Sequence, residues 1–272
     1  MQYVEANGAR IPAIGLGTWD LRGRVCARVV EQALRLGYRH IDTAEMYSNE
    51  REIGEGLRAS GVRRSDVFIT TKVWQDHLAP AEFERATKES LVRLRLSEVD
   101  LLLIHWPNPR IPLAETMGAL CRMKQAGFTR YIGISNFTVP LIEEAIRLAT
   151  EPLVTNQIEW HPYLNQSKVV AACRRHGMAV TAYSPIARGR AGDDAELRLI
   201  GMHHRKTAAQ VSLRFLVQEG AIAIPRTSKR ERLEENMAIF DFELDPAEMD
   251  EIRKLANRSG RVVDWSGAPR WD

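Results

Sequence analysis

The chain has 272 residues, of which 44% are hydrophobic and 27% are charged, a composition typical of a soluble globular protein. Lys and Arg number 38 and Asp and Glu number 35, and this small excess of positive charge gives no reason to expect a nucleic-acid or anionic-membrane partner. No apolar run approaches the roughly 18 residues of a transmembrane helix, and the first residues lack a signal-peptide pattern. Three widely spaced cysteines predict neither a disulfide framework nor a zinc site, so we expect a reducing, cytoplasmic compartment.

The predicted elements alternate along the chain. Asn7 and Gly8 separate two short runs and predict a β-hairpin at the start. Eight strands are predicted from short β-branched or apolar runs at residues 14–17, 39–42, 67–72, 99–105, 131–134, 154–159, 179–183 and 222–225. Helices are predicted where apolar residues recur every three to four positions, at residues 25–36, 83–94, 113–125, 139–149, 168–176 and 207–218. Glycines that suit the ends of helices follow several of them, at Gly37, Gly127, Gly177 and Gly220.

This alternation requires a parallel sheet with crossover helices. Eight strand–helix units in about 250 residues predict an α/β fold of the (β/α)₈ TIM-barrel type, with the N-terminal hairpin capping its bottom. An open, doubly wound sheet is the alternative at this point. Because the eight units use nearly the whole chain, we expect residues 1–272 to form a single domain with short rim loops.

Polar residues cluster at the C-terminal ends of consecutive predicted strands, where the active sites of such barrels lie. They are Asp42, Tyr47, Lys72 and His105. Each has an ordinary structural explanation, as a helix cap, packing residue, solvated cation or core histidine, but their occurrence at one end favours chemistry. The Lys72 ammonium is expected to lower the pKa of Tyr47, whose usual value is about 10, and Asp42 to hold Lys72 in place.

Such a set can donate a proton to a carbonyl oxygen that is becoming an alkoxide, with a hydrogen bond from His105 at the same oxygen. That is half of a carbonyl reduction. The other half is a hydride, which no side chain supplies, so the constellation requires a nicotinamide cofactor. The chain contains no GxGxxG motif, which argues against Rossmann-type binding of that cofactor.

Motifs that share one order and spacing run from about residue 3 to residue 256. They are GLGTW at 15–19, GYRHIDTA at 37–44, Tyr47 with Asn49 and Glu50, ITTKVW at 69–74, VDLLLIHWP at 99–107, IGISNF at 132–137, NQIE at 156–159, YSP at 183–185, IPR at 224–226 and RLEEN at 232–236. With these motifs the chain resembles the aldo-keto reductases, and among them the prokaryotic short-loop members such as 2,5-diketo-D-gluconate reductases and methylglyoxal-reducing enzymes. The resemblance implies that Tyr47 is the general acid/base and that Asp42, Lys72 and His105 complete a catalytic tetrad.

The resemblance also implies the cofactor contacts. Ser135, Asn136 and Gln157 would hold the nicotinamide carboxamide, and Tyr183 would stack on the ring. Further cofactor-binding residues by the same resemblance are Thr18, Trp19, Ser184, Pro185, Ile186 and Arg188. The segment 186–194 is short and predicts a loose cover over the cofactor with fast exchange.

Cofactor selectivity is predicted from residues 225–236. Arg226 can bind a phosphate through two hydrogen bonds, and Thr227 adds a hydroxyl. By resemblance Arg232 is a second phosphate-binding arginine, and Glu235 and Asn236 contact the adenine. We therefore predict NADPH over NADH, the alternative being solvated basic residues and use of both cofactors.

Four tryptophans are the candidate substrate pocket. Trp19, Trp74 and Trp106 follow strand ends, and Trp265 lies in a C-terminal tail that we expect to return over the barrel mouth. Packing at the rim, or a tail without a role, is the alternative. We expect a small aldehyde or ketone as substrate and a monomeric protein. The pair His203 and His204 has no further ligands at metal-binding spacing, so we predict a solvated loop and no metal.

Three functions compete for this sequence. The first is an NADPH-dependent reductase of aldehydes or ketones, and the second is a non-catalytic NADPH-binding regulatory subunit of the same fold. The third is a barrel isomerase or aldolase that uses Lys72 as a Schiff-base nucleophile. The complete tetrad argues against the second, and an Asp42 partner that keeps Lys72 protonated argues against the third.

Overall fold

The computed structural model of the chain describes residues 1–257 and 260–272. Among these residues, eight parallel strands follow one another in sequence order around a (β/α)₈ barrel. They are β3 (Leu16–Gly17), β4 (His40–Asp42), β5 (Phe68–Val73), β6 (Val99–Ile104), β7 (Thr129–Ser135), β8 (Leu153–Glu159), β9 (Ala179–Tyr183) and β10 (Ile222–Ala223). The predicted barrel is confirmed, and the open doubly wound sheet is excluded.

The barrel closes between its first and last strands, which are both shorter than predicted. Single bridges join Ile14 to Ala223 and Gly17 to Arg226. A side chain at Gly17 would place its Cβ 2.7 Å from the Ile224 carbonyl oxygen, so glycine is needed where the two strands approach.

The predicted hairpin is also confirmed. It consists of β1 (Tyr3–Ala6) and β2 (Ala9–Pro12), and both turn residues have positive φ, 44° at Asn7 and 85° at Gly8. The Asn7 side-chain amide donates to the carbonyl of Leu153, 2.7 Å away, at the start of β8. The hairpin therefore covers the bottom of the barrel, opposite the strand ends that carry the candidate site.

Helices surround the strands. They are α1 (Gly23–Arg35), α2 (Glu50–Ser60), α3 (Pro80–Leu94), α4 (Leu113–Gln125), α5 (Val139–Leu148), α6 (Ser167–Arg175), α7 (Arg190–Asp193), α8 (Ala195–His204), α9 (Ala208–Gln218), α10 (Arg230–Met237) and α11 (Pro246–Lys254). The glycines predicted to end helices all have positive φ, namely Gly37, Gly127, Gly177 and Gly220. None of the helices that the structure describes has the length and apolar surface needed to cross a membrane.

Helix α2 was not predicted, because Gly54 and Gly56 lower its helix propensity. Packing overrides propensity here. A Cβ on Gly54 would lie 2.3 Å from the Leu94 carbonyl oxygen in α3, and one on Gly56 would lie 2.5 Å from that of Ala27 in α1. The two glycines thus allow α2 to pack closely against both neighbouring helices.

The prediction of a solvated loop at His203 and His204 was wrong. Both residues end α8, and His204 Nε2 lies 2.8 Å from the Glu248 carboxylate in α11. No group of three or more His, Cys, Asp and Glu side chains suited to a metal occurs in the described part of the chain. Cys26, Cys121 and Cys173 are buried free thiols in α1, α4 and α6, where packing was expected.

Candidate active site

The four predicted catalytic residues lie on the consecutive strands β4, β5 and β6 or directly after them. Asp42 ends β4, Tyr47 lies on the 3-10 turn Glu45–Tyr47 that follows, Lys72 lies in β5, and His105 follows β6. Because parallel strands end at the same side of the barrel, these side chains meet at its C-terminal mouth.

A buried ion pair forms the base of this group. Lys72 Nζ lies 2.5 Å from Asp42 Oδ1 and donates a second hydrogen bond of 2.8 Å to the Thr43 carbonyl. The other Asp42 oxygen accepts a 2.7 Å hydrogen bond from the Gln157 amide. Burial lowers the pKa of Lys72, and the adjacent Asp42 carboxylate opposes that shift. Partners on both sides allow the two charges to remain in a buried site.

Tyr47 differs from the prediction in its pKa. Burial raises that pKa well above 10, and the negative charge of Asp42 raises it further. The expected lowering by Lys72 was wrong, because the ammonium is already bound by Asp42 and Thr43 and lies 5.0 Å from the centre of the Tyr47 ring. No described residue forms a hydrogen bond with the Tyr47 hydroxyl. Tyr47 is therefore a protonated donor without a hydrogen-bond partner among residues 1–257 and 260–272.

His105 is a buried imidazole that is neutral near pH 7. Burial lowers its pKa well below 6.5, and the Lys72 charge acts in the same direction. Its ring meets Tyr47 edge-on at 5.5 Å and Trp74 edge-on at 5.2 Å. A neutral imidazole in this position can form a hydrogen bond with an oxygen that also faces the Tyr47 hydroxyl.

Polar side chains hold the turn that carries Tyr47. Thr18 and Arg22 lie in the loop after β3, and Asn49 directly precedes α2. Thr18 donates to the Asp42 carbonyl at 2.9 Å, and Asn49 donates to the Thr18 carbonyl at 2.8 Å. Arg22 donates to the carbonyl of Tyr47 itself. Sequence reasoning did not assign a role to Arg22, because nothing in its local pattern shows that its side chain crosses to the next loop.

Glu45 joins the same turn to the loop after β5. Its carboxylate accepts a 3.0 Å hydrogen bond from the Trp74 backbone N–H and lies 2.7 Å from His77 Nδ1. Trp74 lines the mouth beside His105. The structure thus adds Glu45 and His77 to the site, and the sequence offered no spacing signal for this contact.

The residues assigned to the nicotinamide form one hydrogen-bonded chain next to the tetrad. Ser135 donates to the Gln157 carbonyl at 2.8 Å, and Asn136 donates to the Ser135 hydroxyl and to the His105 carbonyl, both at 3.0 Å. Tyr183 donates to Asn136 Oδ1 at 2.8 Å. These amides and hydroxyls offer both donors and acceptors, which is what binding of a carboxamide requires.

Other residues assigned to the cofactor lie where the first and last strands of the barrel meet. Arg226 donates to the carbonyls of Trp19 and Asp20, each at 3.2 Å, and the Arg188 guanidinium lies 5.8 Å from the centre of the Trp19 ring. Ser184 and Arg188 have positive φ, and Pro185 and Ile186 accept hydrogen bonds from Ser212 and Gly189.

The residues assigned to the 2′-phosphate and adenine lie around the start of α10 and within it. Arg232 Nη1 lies 2.5 Å from one Glu235 oxygen, and Thr207 donates to the other. The Thr227 hydroxyl accepts from the Lys229 N–H at 3.1 Å. Asn236 is buried.

Three of the four predicted pocket tryptophans meet at the mouth. Trp265 stacks on Trp74 at 6.1 Å and meets Trp106 edge-on at 5.6 Å. The C-terminal tail therefore returns over the mouth, as predicted. Trp19 forms no ring contact with these three among the described residues and lies beside Arg188 instead.

Comparison with known proteins agrees with this arrangement. The model of the aldo/keto reductase family matches residues 13–257. The chain belongs to the aldo/keto reductase family. It is 44% identical over 266 residues to the methylglyoxal reductase DkgB of Escherichia coli O157:H7, covering 96% of this chain and 99% of that protein.

Solved structures of the family have the same fold. A crystal structure described as a candidate 2,5-diketo-D-gluconic acid reductase B superposes with a TM-score of 0.98 at 49% identity and covers 100% of this chain and 98% of its own. The Bombyx mori aldo-keto reductase in complex with NADP superposes with a TM-score of 0.90 at 34% identity, covering 98% of this chain and 96% of its own. This aldo/keto reductase is an oxidoreductase, as the sequence predicted.

Proposed function

We propose that this aldo/keto reductase uses NADPH to reduce small aldehydes and ketones, with Tyr47 as the proton donor. One observation carries the proposal: the ring of a protonated Tyr47, whose hydroxyl has no hydrogen-bond partner in the described part of the chain, lies 5.5 Å from the neutral His105 ring and 5.0 Å from Lys72 of the buried Asp42–Lys72 pair. When bound, a reduced nicotinamide supplies the hydride to the carbonyl carbon.

The four side chains would divide the proton chemistry among them. His105 forms a hydrogen bond with the substrate oxygen and orients it toward Tyr47. Tyr47 donates its proton as negative charge develops on that oxygen. The buried pair of Lys72 and Asp42 supports this proton donor, because Lys72 Nζ lies 5.0 Å from the centre of the Tyr47 ring and keeps the phenol in position. Burial favours the protonated tyrosine, so the site is suited to reduction at neutral pH.

The cofactor residues support a nicotinamide with its carboxamide at Ser135, Asn136 and Gln157 and its ring against Tyr183. We assign Arg226, Thr227 and Arg232 to the 2′-phosphate and Glu235 and Asn236 to the adenine. Further cofactor contacts that we assign are Thr18, Trp19, Ser184, Pro185, Ile186 and Arg188. Exposed arginines at 226 and 232, together with the NADP complex of the Bombyx mori relative, support NADPH over NADH. Equal kcat/KM with both cofactors would contradict this preference.

The substrate pocket we propose is formed by Trp74, Trp106 and Trp265, with Trp19 at its edge. Its aromatic surface suits a small carbonyl compound, and the likeness to methylglyoxal reductase supports 2-oxoaldehydes such as methylglyoxal as a first choice. We also propose a single barrel domain, a monomer, a cytoplasmic location and fast cofactor exchange beneath the short segment 186–194.

The test is Tyr47→Phe, measured by nicotinamide absorbance with NADPH and methylglyoxal. Loss of the proton donor should lower kcat by roughly 100- to 10,000-fold. NADPH binding, followed by quenching of protein fluorescence, should change little. A variant with full activity would refute the role of Tyr47. A wild-type protein that binds NADPH without turning over any aldehyde or ketone would indicate the non-catalytic regulatory subunit.

A further inference from the structure

Glu159 is a buried carboxylate that the tetrad does not use. It ends β8 and is 0% exposed. One of its oxygens accepts a 2.6 Å hydrogen bond from the Val262 backbone N–H and lies 2.9 Å from His161 Nε2. The other accepts a 2.9 Å hydrogen bond from the Val263 N–H. Two consecutive N–H groups of the C-terminal tail are thus bound to a single barrel carboxylate.

Arg261 adds to this attachment from the tail itself. Its Nη1 atom lies 3.8 Å from the Glu159 carboxylate and is buried without a hydrogen bond to a described atom. The guanidinium covers the ring of Trp271 at 3.7 Å. Hydrogen bonds to a charged acceptor are stronger than neutral ones, and a buried carboxylate is costly when its donors are withdrawn. Glu159 and the tail therefore stabilise each other.

The attachment lies just before the tryptophan that reaches the mouth. Only Asp264 separates Val263 from Trp265, whose ring stacks on Trp74. At its far end the tail is joined to α5, where the Val139 N–H donates to the Asp272 carboxylate at 2.9 Å. Of these two attachments, the one at Glu159 is buried and nearer to Trp265.

We propose that Glu159 is a positioning residue for the carbonyl substrate, because it anchors the tail and thereby fixes Trp265 as a wall of the pocket. The effect on catalysis rests on the proposed function, whereas the attachment of the tail to Glu159 does not depend on it. One measurement tests the attachment and a second tests the effect on substrate binding.

The first measurement needs no activity. In Glu159→Gln the side-chain NH₂ faces backbone N–H donors, so one tail hydrogen bond is replaced by repulsion between donors. Limited trypsin digestion of the full chain, read by mass spectrometry, should show cleavage after Arg261 or Arg270 accelerated about tenfold or more. The matched control is Glu84→Gln, which removes an exposed carboxylate of α3 that is paired with Lys88. Equal cleavage of Glu159→Gln and wild type would refute the anchor.

The second measurement is kinetic. Glu159→Gln should raise KM for methylglyoxal about fivefold or more and leave kcat within about twofold, because a binding wall is displaced and the proton donor is not. Trp265→Ala should have a similar effect, and the double variant should be no worse than Trp265→Ala alone, since both changes act through one contact. Fully additive effects, or a fall in kcat alone, would contradict the positioning role. If wild type reduces no carbonyl, the proposed function fails while the digestion result still decides the anchor.

Discussion

The proposed catalytic centre and the residues assigned to the 2′-phosphate are built in opposite ways. Lys72 and Asp42 have side chains 0% and 2% exposed, and their polar atoms are bound to each other and to neighbouring groups. Arg232 has a side chain 56% exposed and is bound to Glu235, and Arg226 is bound to loop carbonyls. The buried pair is already organised in the absence of a ligand. Arg226 and Arg232, by contrast, would have to give up their present protein partners to bind a phosphate.

This difference predicts where substitutions act. In the buried region each partner compensates the desolvation of the other, so a single change should affect both folding and chemistry. In the exposed region solvent and salt screen the charges, so changes should be smaller and confined to cofactor binding.

The largest effect is expected from Lys72→Met. It leaves Asp42 buried without its cation, which should lower the free energy of unfolding by about 3–5 kcal/mol in urea titrations and abolish measurable reduction. The double variant Asp42→Asn with Lys72→Met should recover much of the stability and none of the activity. The control Lys88→Met breaks a surface pair with Glu84 and should cost less than about 1 kcal/mol. An equal decrease in the free energy of unfolding for Lys72→Met and Lys88→Met would show that the buried ion pair contributes no more to stability than the exposed one.

A pH effect comes next and arises from His40 at the start of β4. Burial lowers the pKa of His40 to about 4. Above pH 6.5 the imidazole is neutral in both the folded and the unfolded chain, so protonation of His40 does not reduce the free energy of unfolding there. Between pH 6.5 and 4 only the unfolded chain gains the proton, and the free energy of unfolding should fall by about 3 kcal/mol from this residue.

Urea unfolding at pH 7 and pH 4.5 tests this. His40→Gln should flatten the fall, and His203→Gln, which changes a side chain 63% exposed, should leave it unaltered. A steep fall that persists unchanged in His40→Gln would assign the effect to other groups.

A substitution at the proposed 2′-phosphate site should have a smaller effect, which is confined to cofactor binding. Arg232→Ala should raise KM for NADPH about tenfold and leave that for NADH within about twofold, because the lost hydrogen bonds are charge-assisted but exposed. Raising the salt concentration should weaken NADPH binding to wild type more than to the variant. Equal losses with both cofactors would remove Arg232 from recognition of the 2′-phosphate.

The buried region was also the more predictable one. The predicted strands place Asp42, Lys72 and His105 at the ends of neighbouring strands. Because parallel strands end on the same side of the barrel, the three side chains come close to one another. The pKa of Tyr47 was predicted with the wrong sign, since the sequence does not show that Thr43 and Asp42 saturate the ammonium. Helix α2 was missed because close packing, invisible in a single segment, compensates two glycines. The Glu159 anchor joins positions 103 residues apart, and no local pattern encodes such a contact.

The smallest effect should come from the link between the two loops at the mouth. In Glu45→Gln the amide oxygen can still accept the Trp74 N–H, while the carboxylate oxygen that contacts His77 Nδ1 is replaced by an NH₂ group. Because the Trp74 loop keeps its backbone hydrogen bond, KM for the carbonyl should rise only about two- to threefold with kcat unchanged, consistent with a loss under about 1 kcal/mol. Glu45→Ala removes both contacts and should give a larger rise in KM. Steady-state kinetics on the two variants distinguish them, and equal behaviour would show that the N–H contact does not hold Trp74 in place.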